Sequence, residues 1–218
     1  MPIPTIGPYP MPADLPANQV PWWPDTSRAL LLVHDMQRYF LNFFRPRKSP
    51  YRELVGNIGL LISAARSSDV PVAYTAQPGG MSPAQRGLLC DFWGPGMTAE
   101  PEHNEIIGEL APESDDVVIT KWRYSAFHRT GLLETMRKLG RDQLLICGVY
   151  AHVGCMLTAC DAFSHDVEPF LVADAVADFS LEDHRMALTY AVRRCASVLP
   201  TVQVLGAVRT EQRLGGIR

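Results

Sequence analysis

The 218-residue chain has no apolar run approaching the ~18 residues that a membrane-spanning helix needs, so a span is not expected. Its start, Met1-Pro2-Ile3-Pro4, lacks a basic cluster followed by a hydrophobic stretch, and no secretory signal is visible. No block of like charge interrupts the chain. A net charge of −3 gives no reason to expect nucleic acid or an anionic membrane as a partner. Internal repeats and low-complexity tracts are also missing. The five cysteines (Cys90, Cys147, Cys155, Cys160, Cys195) are odd in number and scattered without metal-type spacing. That argues against a disulfide framework or a metal site, and for reduced thiols in a cytoplasmic protein.

What is present is an ordinary globular composition, 47% hydrophobic and 20% charged, enough for one large α/β domain. Residues 1–27 are Pro-rich and lack apolar periodicity, which predicts an extended arm laid over the domain, with Trp22 and Trp23 covered by it. Strands are expected at Ala29–Asp35, Val70–Thr75, Val117–Lys121, Gln143–Val149, Pro169–Val172 and Ser197–Leu199. Between them, helical patterns fall at Leu54–Ser67, Glu102–Leu110, Gly131–Leu139, Val153–Ser164 and Leu181–Arg194. Thr130 is a candidate N-cap for the third, and Ser180-Leu181-Glu182-Asp183 resembles a capping box before the last. Short branched-aliphatic strands alternating with helices call for a mostly parallel sheet covered on both faces. The domain is expected to span residues 28–205, with residues 206–218 as a frayed polar tail. The segment Ala76–Pro101, with Gly79-Gly80 and Gly94-Pro95-Gly96, reads as a long loop forming a lid or wall.

Three apolar runs end on groups that carry chemistry. Leu30-Leu31-Leu32-Val33-His34 leads to Asp35, Val117-Val118-Ile119-Thr120 leads to Lys121, and Leu144-Leu145-Ile146-Cys147 leads to Gly148. In a parallel sheet these are carboxyl ends of strands, beside which ligands bind. Desolvation would raise the pKa of Asp35 and a neighbouring Lys121 would lower it, so either outcome is open. Arg86 and Arg123 are suited to pairing with substrate carboxylates. Gln77 follows the second strand and can hydrogen-bond a hydroxyl or carboxylate. Phe92 and Trp93 either wall an apolar ring or pin the long loop to the core.

Several longer segments share one pattern: Val33-His34-Asp35-Met36-Gln37, Thr75-Ala76-Gln77-Pro78, Asp91-Phe92-Trp93-Gly94-Pro95-Gly96, Lys121-Trp122-Arg123-Tyr124-Ser125-Ala126-Phe127, Gly148-Val149-Tyr150-Ala151-His152 and Ala173-Asp174-Ala175-Val176-Ala177-Asp178-Phe179-Ser180. Together they resemble the isochorismatases, within the cysteine-hydrolase-like superfamily that also contains nicotinamidases. The resemblance runs from about Ile3 to about Leu205. It implies a single three-layer α/β/α domain with a six-stranded, mostly parallel sheet in the order 3-2-1-4-5-6. It also implies a non-proline cis peptide near Val149–Tyr150 that aims backbone amides into the site. Two branches are resembled, one acting on isochorismate for siderophores and one on 2-amino-2-deoxyisochorismate for phenazine-type antibiotics.

The departures are equally informative. Nicotinamidase-like members carry their nucleophilic cysteine six residues after the glycine that matches Gly148, and that position here is Gly154. Cys155 is one residue further, about 100° around a helix, and reads as a core residue. The Asp-x-His metal ligands of nicotinamidases are replaced by Thr75-Ala76-Gln77-Pro78, so neither a metal nor any other cofactor is expected. By resemblance Asp35 is then the general acid and Lys121 its orienting partner. Gln77, Arg86, Trp93, Arg123, Tyr150 and Gly154 form the substrate-binding walls. Gly154 leaves room where a side chain would intrude. The resemblance further implies a homodimer and leaves open peptide-synthetase partners. Two other classes stand beside this reading: a non-catalytic docking module for a peptide synthetase, and a cysteine amidohydrolase using Cys155.

Overall fold

The computed structural model describes residues 3–215, with side chains through residue 208. Six strands, β1 (Ala29–His34), β2 (Val72–Ala76), β3 (Val117–Thr120), β4 (Gln143–Val149), β5 (Glu168–Ala177) and β6 (Ser197–Leu199), form one sheet in the order β3-β2-β1-β4-β5-β6. Every pairing is parallel, so the sheet is wholly rather than mostly parallel among the described residues. Parallel strands need crossovers, and these put helices on both faces.

The strand pattern follows directly. Successive side chains of β1 point to opposite faces, and all six of its residues are buried. Leu31 and Val33 join one core with Leu54, Ile58 and Leu61 of α2 (Tyr51–Ser67). Leu30 and Leu32 join the other with Met136 of α6 (Leu132–Lys138), Ala159 of α7 (Met156–Ser164) and Leu188 of α8 (Leu181–Arg194). Apolar positions spaced three and four apart on α2 make one buried stripe. Truncating one of these leucines to alanine is worth about 2–5 kcal/mol. Ser180 caps α8 by accepting from the Asp183 amide, as its sequence suggests.

Several expectations shift. The segment expected as one helix at Glu102–Leu110 is a short turn, α5 (Pro101–Asn104), then extended chain, then a 3₁₀ turn at Gly108–Leu110. Ile106 there makes an antiparallel bridge to Gln37, a tertiary pairing that overrides the helical pattern. The long loop holds two short helices, α3 (Pro83–Arg86) and α4 (Leu89–Trp93). Another short helix, α1 (Arg38–Leu41), follows β1. The helix expected at Val153–Ser164 opens instead with a π-helical turn at Ala151–Cys155. Gly131, not Thr130, is the N-cap of α6, although the Thr130 hydroxyl accepts from the Leu132 amide. Helix α9 (Thr201–Gly215) runs across the expected boundary at residue 206, and residues 216–218 of the expected tail lie outside the described residues.

The Pro-rich arm is extended and anchored by buried Ile3, Ile6 and Tyr9. Trp22 packs on the core, but Trp23 is 52% exposed, so the arm's tryptophans are not both covered. No helix among the described residues is long and apolar enough to cross a membrane.

Candidate active site

The sheet order reverses between β1 and β4, and a crevice opens there at the strand carboxyl ends. One cavity at this edge is lined by Asp35, Gln77, Arg86, Trp93, Lys121, Arg123, Tyr150 and Gly154 together. Thus Asp35, Lys121 and the six residues expected as substrate-binding walls meet in one place. The parallel register explains how. Asp35 follows the last residue of β1, Gln77 that of β2 and Lys121 that of β3, while the turn after β4 carries Tyr150 and Gly154.

Asp35 is held from every side. Its backbone takes φ +49°, the left-handed region that aspartate enters more readily than most residues. The Asp35 amide donates to Thr75 Oγ1 at 3.0 Å, and that hydroxyl donates to Asp35 Oδ1 at 2.6 Å. Lys121 Nζ lies 2.8 Å from Oδ2, and Gln77 Nε2 donates to the same oxygen at 3.1 Å. Burial pushes the Asp35 carboxyl up. The Lys121 charge, His34 and the hydrogen bonds from Lys121 and Thr75 outweigh it and hold the carboxyl below its ordinary range. The opposing pulls expected from sequence therefore resolve toward the ionised form. The Lys121 ammonium also donates to the Arg123 carbonyl at 2.7 Å.

Arg86 is a buried guanidinium with no carboxylate within salt-bridge distance among the described residues. Burial, with a smaller push from Arg123, lowers its pKa, as expected of a cation lacking an anionic partner. Its Nε donates to the Gly94 carbonyl. Gly96 (φ +80°) makes this placement possible: a Cβ there would stand 2.4 Å from Nη1. Arg123 donates to the carbonyls of Gln85 and Trp122, tying α3 to the segment after β3. Trp93 Nε1 donates to the Tyr124 hydroxyl at 2.7 Å, so Trp93 both lines the cavity and pins the long segment. Phe92, by contrast, is 66% exposed and does not line the cavity.

The peptide between Val149 and Tyr150 is cis. The amides of residues 152–155 are bonded within the protein. Those of Val153, Gly154 and Cys155 donate to the Tyr150 carbonyl, and that of His152 donates to Asp178 at 2.6 Å. The Tyr150 hydroxyl is spent on the Phe40 carbonyl, which leaves its ring to form a wall with Phe179 at 4.5 Å. Cys155 is fully buried and does not line the cavity, and burial pushes its thiol well above the ordinary value. A buried, protonated thiol is inert. Among the described residues, no group of three or more His, Cys, Asp or Glu is arranged to hold a metal ion.

Sequence reasoning missed Thr75 as a contact of Asp35, and Ile3, Tyr39 and Phe179 as lining residues. Thr75 and Phe179 stand inside the quoted motifs and were within reach. Ile3 carries no local signal, since the arm has no periodicity.

Residues 29–203 match the Isochorismatase domain. The chain belongs to the isochorismatase family of hydrolases. It is 57% identical over 207 residues to the isochorismatase of Bacillus subtilis, covering 94% of this chain and 66% of that protein. It thus spans just under two thirds of that relative. It is 55% identical over 206 residues to the phenazine biosynthesis protein PhzD of Pseudomonas fluorescens, covering 93% of this chain and 98% of that protein. A solved structure of a cysteine hydrolase from Pseudomonas syringae pv. phaseolicola superposes with a TM-score of 0.80 at 26% identity, over 89% of this chain and 98% of that one. The six-stranded order and the isochorismatase-like fold are as the motifs implied.

Proposed function

We propose that this chain hydrolyses the enolpyruvyl ether of isochorismate or 2-amino-2-deoxyisochorismate, with Asp35 as proton donor. The observation that carries the reading is the Asp35 carboxyl on the wall of the cavity, bonded by Lys121, Gln77 and Thr75, where position 154 is a glycine. The site holds an acid with its orienting groups, and among the described residues no thiol lines it.

The chemistry is consistent with those parts. Protonation of the terminal vinyl carbon converts the enol ether to an oxocarbenium ion. Water adds to the cationic carbon and gives a proton back to the Asp35 carboxylate. The hemiketal then collapses, its C–O bond to the oxygen borne on the ring breaking as the hemiketal hydroxyl becomes the ketone and its proton passes to that departing oxygen. The products are pyruvate and a ring alcohol. A positioned acid is worth ~10²–10⁴-fold in such a step. Among the described residues the cavity is lined by three cationic side chains, Arg86, Lys121 and Arg123, against one carboxylate, Asp35, which suits a dianionic substrate. Binding that substrate places negative charge near Asp35 and raises its pKa, so the acid loads its proton in the complex. Trp93, Tyr150 and Phe179 wall the ring.

Working as a homodimer in the cytoplasm, with peptide-synthetase partners, is a further reading that rests on the family resemblance. Incubation with each substrate separately, followed by a coupled assay for pyruvate, tests the main proposal. Stoichiometric pyruvate from one or both is expected. No pyruvate from either would contradict it.

A further inference from the structure

His34 has no part in the chemistry above, yet it is wholly buried between the sheet and the turn after β4. Its Nδ1 lies 2.9 Å from the Val149 carbonyl and its Nε2 3.4 Å from Thr158 Oγ1. Burial pushes the imidazole down to about 4, so it is neutral at neutral pH and Nδ1–H donates to Val149. The ring also stands directly over Gly154. A Cβ on residue 154 would come within 2.2 Å of His34 Cε1 and 2.9 Å of each ring nitrogen. Real Cβ atoms do not approach that closely, and the imidazole has little freedom to give, being hydrogen-bonded at both nitrogens and packed in the core. The space expected to be left open by Gly154 is therefore occupied.

We propose that His34 and Gly154 form a size-matched pair that determines what the site can hold. The imidazole fills the volume that a side chain at 154 would need, so no side chain can be carried there while His34 is present. Through the Val149 carbonyl the same ring fixes the turn that places Tyr150 on the cavity wall near Asp35. The floor at 154 is then bare backbone, and a ligand can sit against the Asp35–Lys121 pair. His34 in this account is a positioning residue, acting through Gly154 and Val149. The inference concerns shape and stands whether or not Asp35 is the proton donor.

A double-mutant cycle tests it, read first in stability and then in turnover. Gly154→Ala is expected to lower the melting midpoint by about 2–12 °C, the range for overpacking a close-packed interior of this size. His34→Ala empties the contested volume and is expected to lower the midpoint by itself. The double variant is expected to melt no lower than His34→Ala alone, because the added methyl now has room. His34→Val provides a second relieved background should the alanine variant not fold. Turnover gives the readout that separate structural roles would not move: kcat/KM of the double variant should exceed that of Gly154→Ala. Gly154→Ala retaining the wild-type midpoint would overturn the pairing. So would losses that simply add in both relieved backgrounds, since independent sites are additive.

Discussion

The Asp35 carboxylate and the Lys121 ammonium meet at 2.8 Å with both side chains almost entirely out of solvent. A pair so placed is held together by an attraction that water does not screen, and its loss is asymmetric. Removing one partner leaves a buried charge unpaired, at about 3–5 kcal/mol. Lys121→Ala is therefore expected to destabilise the protein by that order. The pH dependence has a definite sign. Without Lys121, burial raises the Asp35 carboxyl above its unfolded value, so stability falls as pH rises through the new pKa. Denaturant titrations at mildly acid and mildly alkaline pH should show the larger loss at alkaline pH. A loss independent of pH would count against it.

Thr75 is predicted to set the ionisation of Asp35. Its hydroxyl donates to Oδ1 at 2.6 Å and accepts the Asp35 amide, so Thr75→Val removes two bonds at once. One hydrogen bond to a charged group is worth about 1.5–3 kcal/mol. Losing a donor to the carboxylate raises the pKa of Asp35. In the wild type the depressed pKa should make kcat/KM fall as pH rises through it, because that parameter reports the free enzyme. In Thr75→Val the fall should begin at higher pH, and Thr75→Ser should restore the original profile. An unchanged profile in the valine variant would refute this role.

Much of this was legible in the sequence, for a physical reason. A buried parallel strand is a short branched-aliphatic run, and the residue ending it must lie at one rim of the sheet. Asp35, Lys121 and the Gly148–Gly154 turn were placed on one edge by that logic, and the sheet delivers them there. The short helices α1, α3 and α4 were not legible, because one turn of helix has no period to detect. Ile106 adopts extended backbone through its pairing with Gln37, a contact no local pattern encodes. The opposition of His34 and Gly154 spans 120 residues of sequence and depends on a close tertiary approach, which only coordinates show. The polar tail expected from residue 206 is instead continued helix as far as Gly215, with Val204 of the same helix in the core.

Arg86 is predicted to bind a substrate carboxylate. Arg86→Gln should raise KM by roughly 10–100-fold, equivalent to the ~1.5–3 kcal/mol of a charge-assisted bond, with a smaller change in kcat. The loss in thermal stability should be slight, since the substitution also removes a buried charge that has no carboxylate partner among the described residues. Steady-state kinetics beside a thermal melt decide it. An unchanged KM would place the guanidinium outside the binding contacts.

Cys155 is predicted to be dispensable for chemistry. Cys155→Ala should lose about 1 kcal/mol of stability, as for a small core truncation, and keep most turnover. Thiol-alkylating reagents should not inactivate the native enzyme at this residue. A folded alanine variant that had lost several orders of magnitude in rate would revive covalent catalysis.

The most direct test concerns the proton on Asp35. Asp35→Asn keeps the shape of the side chain and its capacity to accept from Lys121, but cannot deliver a proton to carbon. Pyruvate release is measured under single-turnover conditions beside a binding titration of the same variant. The account predicts that substrate still binds while release falls by at least ~10²–10⁴-fold. A folded Asp35→Asn protein with near-normal release would contradict it, because the proton would then come from another group.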